Sequence, residues 1–209
     1  MTFRYIAVEG PPGVGKTELS KGLAARLDGA ALHEEKNNPF LRDFLAGKGG
    51  AAFQAQIFFL LNRYRQLSGL AQRELFSQTR VADFILNRDK VYAYLNLDDT
   101  ELMLYEKIYR PIAAEVPSPE IVVYLQVPAD VLAKRSRQRF GTDAMEEEDL
   151  LEIVRAYDYF FFHYSQTPLL VVSSAEVDFS DPEIDLTDLL QELQLMPGGT
   201  RFYVPVASP

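Results

Sequence analysis

Cysteine is absent from the 209-residue chain, which excludes disulfides and thiolate metal sites. Histidine is almost as scarce. His33 and His163 alone cannot build a histidine-rich zinc site, and both read as structural residues. No stretch approaches the roughly 18 uninterrupted apolar residues of a membrane span. The opening MTFRYIAVEG has neither the cationic start nor the long apolar run of a secretory signal, so a cytoplasmic location is expected. Positive charge is in deficit, with 21 Lys and Arg against 30 Asp and Glu and a net charge of −9. Such a surface is unsuited to coating nucleic acid or an anionic membrane, and neither is expected as a partner. Any anionic ligand must instead be held by a local cluster of positive groups. Lys and Arg are missing altogether from Ala156 to Thr200, which reads as a solvated face remote from any phosphate site. Repeats and low-complexity linkers are also lacking, so residues 1–209 are expected to form a single domain.

What is present is an alternation of short apolar, β-branched runs with longer helical patterns. The runs are Phe3–Val8, Ala30–His33, Arg80–Phe84, Ile121–Val127 and Leu169–Val172. They predict an α/β fold built on a five-stranded parallel sheet flanked by helices, with ligands beyond the strand C-termini. The helical stretch Phe53–Leu67 is apolar nearly all round in its first half (Ile57, Phe58, Phe59, Leu60, Leu61). A helix of that kind is central to a core or buried in a subunit interface. Tyr105, Ile108, Tyr109 and Ile112 form a second apolar stripe. A last helix is expected to begin at Asp181-Pro182 and to bury Leu186, Leu189, Leu190 and Leu193 before Pro197-Gly198-Gly199 stops it. The tail 196–209 reads as irregular.

Gly10-Pro11-Pro12-Gly13-Val14-Gly15-Lys16-Thr17 matches the phosphate-loop pattern G-x-x-x-x-G-K-[ST]. The context is the required one, since an apolar strand precedes the loop and an amphipathic helix (Leu19, Leu23, Leu27) follows it. Gly13 and Gly15 allow backbone N–H groups to face phosphate oxygens, and the helix N-terminus adds its positive dipole end. Lys16 supplies a point charge to the β- and γ-phosphates of ATP, and the Thr17 hydroxyl is suited to Mg²⁺. The fold implied is that of a P-loop kinase.

Three further clusters bear on what would accept a phosphoryl group. His33-Glu34-Glu35-Lys36-Asn37-Asn38-Pro39-Phe40-Leu41 directly follows the second strand. It is either a solvated acidic turn or the source of a carboxylate that deprotonates a hydroxyl. Gln56 and Arg63 lie seven apart on the apolar helix, and Asp83 ends the third strand. These are either a structural Arg–Asp bridge or a set that reads a nucleobase edge. Lys134-Arg135-Ser136-Arg137-Gln138-Arg139 is a basic run in an acidic protein, either a solvated surface or part of a lid over about 134–146.

Taken together, GPPGVGKT, the EE…NPFL stretch, the Q-x₆-R helix, the aspartate after the third strand and RSRQR resemble the deoxynucleoside kinases, in particular the bacterial deoxyadenosine/deoxyguanosine kinase branch. The resemblance runs from Phe3 to about Phe179. It implies transfer of phosphate from ATP, with Mg²⁺, to the 5′-hydroxyl of a deoxynucleoside for nucleotide salvage. Glu34 would be the general base and a metal ligand with Thr17, with Glu35 the neighbouring alternative. Gln56 would read the base, and Arg63 and Asp83 would favour a purine or cytosine over thymine. Phe59 and Arg80 would complete that side. Arg135 and Arg139 would reach the ATP phosphates, and Asp178-Phe179 would lie against the adenine. The family is dimeric, which implies a homodimer here.

The sequence departs from the family pattern at several points. The acidic-Arg-Ser motif usual before Asp83 reads Ser77-Gln78-Thr79-Arg80, which leaves Arg80 as the candidate arginine. Leu45 stands where a sugar-binding tyrosine is usual. Arg139-Phe140-Gly141 replaces an Arg-Gly-Arg ending, and Glu146 is the nearest following glutamate. Two other readings share the phosphate loop: a thymidylate-type nucleoside-monophosphate kinase and a nucleotide-binding regulatory protein with reduced turnover. The Glu34/Glu35 pair argues against an acceptor that is already phosphorylated.

Overall fold

The computed structural model describes residues 3–72, 78–141, 144–181, 184–196 and 198–205. The chain forms two compact units: Met1–His33, Gln78–Asp83 and Pro119–Pro209 in the first, Glu34–Ser77 and Phe84–Ser118 in the second.

The first unit is a parallel sheet with helices. Its strands are β1 (Tyr5–Glu9), β2 (Ala30–Leu32), β3 (Arg80–Ala82), β4 (Ile121–Gln126), β5 (Leu169–Ser173) and β6 (Thr200–Tyr203), in the order β2-β3-β1-β4-β5-β6. The sheet therefore has six strands where five are expected from the sequence. The tail read as irregular supplies the sixth, paired in parallel with β5. β6 alternates between exposed and half-buried residues, as an edge strand with one covered face does. By contrast β1 is buried at every residue, because helices cover both faces of a central parallel strand. β1 pairs with β3 on one side and β4 on the other, so connections run to opposite sides of β1 and the strand order switches at its C-terminal end. Ile6, Val8, Leu23, Val123, Leu125, Leu170 and Val172 form the centre of the core.

The helices of this unit are α1 (Lys16–Arg26), α6 (Ala129–Phe140), α7 (Glu147–Phe162) and α8 (Thr187–Gln194). α8 buries Leu189 and Leu193, with Leu186 buried at its N-cap and Leu190 packed alongside, as the spacing predicts. It starts at Thr187, later than the Asp181-Pro182 start expected. Asp185, one residue before the N-cap Leu186, accepts from the Thr187 N–H and hydroxyl and holds the turn into the helix. Pro182 and Pro197 lie outside the described residues, as does Ser77 of the departing motif.

The second unit is helical: α2 (Leu41–Leu45), α3 (Ala51–Gln72), α4 (Arg88–Asn96) and α5 (Asp99–Glu115). α5 opens with a reciprocal capping box, Asp98 accepting from Glu101 N–H while Glu101 accepts from Asp98 N–H. Its Tyr105 and Tyr109 are buried, as the stripe predicts, while Ile108 and Ile112 are half-buried. α3 buries Leu60 and Leu67 but leaves Leu61 48% exposed, so its apolar character exceeds what this unit's core consumes.

Candidate active site

The phosphate loop leaves β1 at Glu9 and enters α1 at Lys16. Gly15 is the N-cap of that helix with φ of 104°, a backbone conformation L side chains rarely adopt. A Cβ there would also sit 2.7 Å from the Phe179 carbonyl carbon and the Ser180 nitrogen, so glycine is required twice over. Gly13 also has positive φ, 83°. Lys16 Nζ donates to the carbonyls of Gly10 (2.8 Å) and Pro11 (2.9 Å), which holds the ammonium over its own loop. Thr17 Oγ1 donates to Asp83 Oδ2 at 2.6 Å.

Asp83 follows β3, and its N–H donates to Leu32 O, which fixes it at the C-terminal end of the sheet. His33 Nδ1 lies 3.3 Å from the same Asp83 oxygen. Asp83 therefore partners the phosphate-loop threonine and not Arg63, and the expected Arg63–Asp83 pair is corrected. Thr17 and Asp83 offer two hard oxygen donors at one point, a set that fits Mg²⁺. Among the described residues no cluster of three or more His, Asp or Glu side chains forms a ready metal site.

Arg80 sits at the other end of β3, level with Tyr5 and Ala30, with its N–H bonded to Arg4 O. At about 3.3 Å per residue it lies roughly 10 Å along the strand from Asp83, at the wrong end of the sheet to replace the missing arginine.

The lid arginines pack on the segment following β5. Arg135 donates to Ser174 O (2.6 Å), Ser174 Oγ (3.2 Å) and Ala175 O (2.9 Å). Arg139 donates to Gly13 O in the phosphate loop (2.8 Å), to Asp178 Oδ2 (2.5 Å) and to Ser180 Oγ. Burial alone would raise the Asp178 carboxyl, but the Ser180 bonds and the Arg139 guanidinium hold it below its ordinary range. Asp178 thus borders the loop although it lies in the stretch free of Lys and Arg, so that stretch is not remote from the phosphate site. Phe179 is 2% exposed and part of the core, so its side chain is not free to stack on adenine as expected. Glu146 is exposed at the N-cap of α7. Residues 134–140 of the expected lid are helical, and 142–143 lie outside the described residues.

The second unit holds a buried ionic network. Arg63 reaches Glu34 Oε1 through Nε (2.8 Å) and Nη2 (2.5 Å), and Asp89 Oδ1 through Nη1. Arg88 Nη2 donates to Glu34 Oε2. Gln56 Nε2 donates to the Asp89 carbonyl (2.9 Å), and Tyr105 OH donates to Asp89 Oδ2 (2.8 Å). Phe59 lies under the Arg63 guanidinium at 5.4 Å. Arg63, Arg88, Asp89 and Gln56 are all buried. Burial acts to raise the Glu34 carboxyl, yet the Arg88 and Arg63 guanidiniums outweigh it and bring it down to about 2. Asp89 shifts the other way, because complete burial dominates over Arg63, Gln56 and Tyr105. Both Glu34 oxygens are committed to cations, which makes the metal role expected of Glu34 a poor fit. Glu35 instead pairs with Arg65 at 2.5 Å in solvent.

Nearby, Asn38 Nδ2 donates to Ala55 O and Asn38 Oδ1 accepts from Phe40 N–H, so the NPFL stretch is pinned to α3. Leu45 is 75% exposed at the end of α2.

Arg88 and Asp89 join the network without having been singled out by any motif, and their adjacent opposite charges six residues past β3 are the signal for them in the sequence. His33, expected to be only structural, lies beside Asp83.

Residues 6–196 match the family model for deoxynucleoside kinases. The chain belongs to the deoxynucleoside kinase family. It is 28% identical over 192 residues to a deoxyguanosine kinase of Bacillus subtilis, covering 90% of this chain and 93% of the relative. A deoxyadenosine/deoxycytidine kinase of the same organism is 23% identical over 201 residues, 90% of each chain. Among solved structures, a deoxyadenosine kinase from M. mycoides with bound dATP aligns with a TM-score of 0.67 at 24% identity, covering 91% of this chain and 97% of that one. The deoxynucleoside kinase is thus a phosphotransferase acting on a nucleoside hydroxyl. The monophosphate-kinase and regulatory readings are not favoured. No helix among its described residues is long and apolar enough to cross a membrane.

Proposed function

We propose that this kinase transfers the γ-phosphoryl group of ATP to the 5′-hydroxyl of a purine deoxynucleoside, deoxyadenosine or deoxyguanosine. The observation that carries the reading is Glu34, a half-buried carboxylate two residues after β2 that two guanidiniums keep ionised. The relative named deoxyguanosine kinase supports the purine preference, and the one named deoxyadenosine/deoxycytidine kinase fits a purine or cytosine base.

In this reading Gly10, Pro11, Pro12, Gly13, Val14, Gly15, Lys16 and Thr17 bind the triphosphate. Lys16 leaves its own loop carbonyls for the β- and γ-phosphates. Thr17 and Asp83 hold Mg²⁺, which supplies charge neutralisation to the phosphates. Arg139 exchanges Asp178 for phosphate oxygens, and Arg135 keeps the 174–178 segment in place. Glu34, and not Glu35, takes the proton of the 5′-hydroxyl. Gln56 and Arg63, with Asp89 in the place expected for Asp83, read the base while Phe59 packs beside it. Glu146 contributes to the acceptor side from the start of α7.

A homodimer built on the apolar surplus of α3 and α5, where Leu61, Met103 and Leu104 are exposed, and a cytoplasmic location complete the proposal. Sedimentation of the purified chain tests the dimer, with a monomer at micromolar concentration refuting it. The decisive experiment is a panel of nucleosides with labelled ATP. Deoxyadenosine or deoxyguanosine should be phosphorylated fastest. Faster turnover of thymidine, or of any nucleoside monophosphate, would overturn the acceptor assignment.

A further inference from the structure

Arg63 is shared between two tasks. Two of its N–H groups load a single oxygen of Glu34, and a third holds Asp89, whose backbone carbonyl holds Gln56. One rigid, planar guanidinium thus stands between the residues assigned to the base and the carboxylate assigned to the proton. With Arg88 on the second oxygen, Glu34 carries guanidinium donors on both sides. A carboxylate in that state is well oriented but has little free basicity. It cannot take a proton on Oε1 unless donors there withdraw.

We infer that Arg63 is a positioning residue through which the acceptor's base switches Glu34 on, by drawing guanidinium N–H groups from Glu34 Oε1 to acceptor atoms of the base. This rests on the assignment of Glu34 as the general base. The released Oε1 lone pair then faces the 5′-hydroxyl, while Arg88 keeps Oε2 and the side-chain orientation. In the transfer, the hydroxyl oxygen bonds to the γ-phosphorus as the bond from that phosphorus to the bridging oxygen breaks. The electron pair leaves on ADP, and the hydroxyl proton passes to Glu34 Oε1. The Arg88 and Arg63 guanidiniums that bring the Glu34 carboxyl down to about 2 agree with a base that is held in check. Asp89 keeps Arg63 anchored during the exchange, since its Nη1 contact does not involve Glu34. Base recognition would therefore appear in kcat as well as in KM, which simple binding by Arg63 would not produce.

The test uses the full-length wild-type enzyme with saturating ATP and Mg²⁺. Its acceptors are the preferred deoxynucleoside and 1,2-dideoxyribose, which keeps the 5′-hydroxyl and lacks a base. The base-less acceptor should show a kcat at least tenfold lower, and addition of the free base should raise it. In Arg63→Lys the ratio of the two kcat values should collapse toward one. Equal kcat values in the wild type, no rescue by free base, or an undiminished ratio in Arg63→Lys would each overturn the inference. The wild-type arm needs no variant to fold. Failure of the underlying assignment shows separately, as full kcat retained by Glu34→Gln.

Discussion

In the sheet-bearing unit, Lys16 rests on two carbonyls of its own loop and Thr17 on one aspartate 66 residues away in sequence. In the helical unit, Glu34, Arg63, Arg88 and Asp89 neutralise one another inside the protein. The first arrangement uses backbone polarity and a helix terminus, which cost little to desolvate and stay ready for an anionic ligand. The second gathers two guanidiniums and two carboxyl groups largely out of solvent, where removal of any one leaves its partner stranded in a poor solvent. A loop of the first kind can serve any nucleoside triphosphate. A network of the second kind can be upset by a single substituent on an acceptor, which is what discrimination requires. Under the proposed function, generality on the donor side and selectivity on the acceptor side would follow from these two ways of handling charge.

The sharpest test of that contrast is the base itself. Glu34→Gln should lower turnover by about 10²–10⁴-fold, the usual contribution of a positioned general base, with ATP affinity unchanged. Glu35→Gln should stay within about twofold in the same assay. A reversal would move the acceptor chemistry out of the buried network. Next, Lys16→Ala should cost about 10²–10³-fold in turnover with the melting temperature preserved, as loss of one preorganised charge contact does. Near-normal turnover would remove the loop from the chemistry. Asp83→Asn should raise the Mg²⁺ concentration for half-maximal activity by about 10-fold or more and leave the acceptor KM alone. An acceptor KM shift without a Mg²⁺ shift would return Asp83 to the base-reading role first expected of it.

Stability against pH sharpens the comparison further. The folded Glu34 carboxyl lies below its ordinary 4.5, so its contribution is complete above that pH and is lost as pH falls toward about 2. Urea unfolding of wild type and Glu34→Gln should differ most above pH 4.5 and converge toward pH 2. A difference independent of pH would mean that the two guanidiniums do not set the ionisation of Glu34. The smallest effect is expected at Arg65, whose pair with Glu35 is open to solvent. Arg65→Ala should change stability by no more than about 0.5–1 kcal/mol, and a larger loss would show that Glu35 belongs to the structural network.

The same contrast explains which parts of the molecule were legible in advance. Gly10–Thr17 is contiguous, and its strand–loop–helix form is written in glycine positions and one lysine, so that form could be read directly. β1, β4 and β5 are buried runs that no helix pattern imitates. β6 was missed because four alternating residues after a Gly-Gly turn carry too weak a pattern. Its pairing with β5 is what defines it as a strand. Gln56 and Arg63 were visible as polar residues on an apolar helix, but their true partners were not. Arg63 was expected to meet Asp83, yet it meets Glu34 and Asp89. Arg80 is the candidate for the missing arginine by proximity in sequence, and strand register puts it at the opposite end of the sheet from Asp83.

The chain's own order of residues thus determined the phosphate loop, the parallel α/β architecture and the run of chemistry-bearing side chains, because each depends on spacing within a few turns or one strand. Which carboxylate meets which guanidinium was decided only by tertiary structure. Side chains from positions 34, 56, 63, 88, 89 and 105 converge there through packing, and no local periodicity encodes that convergence.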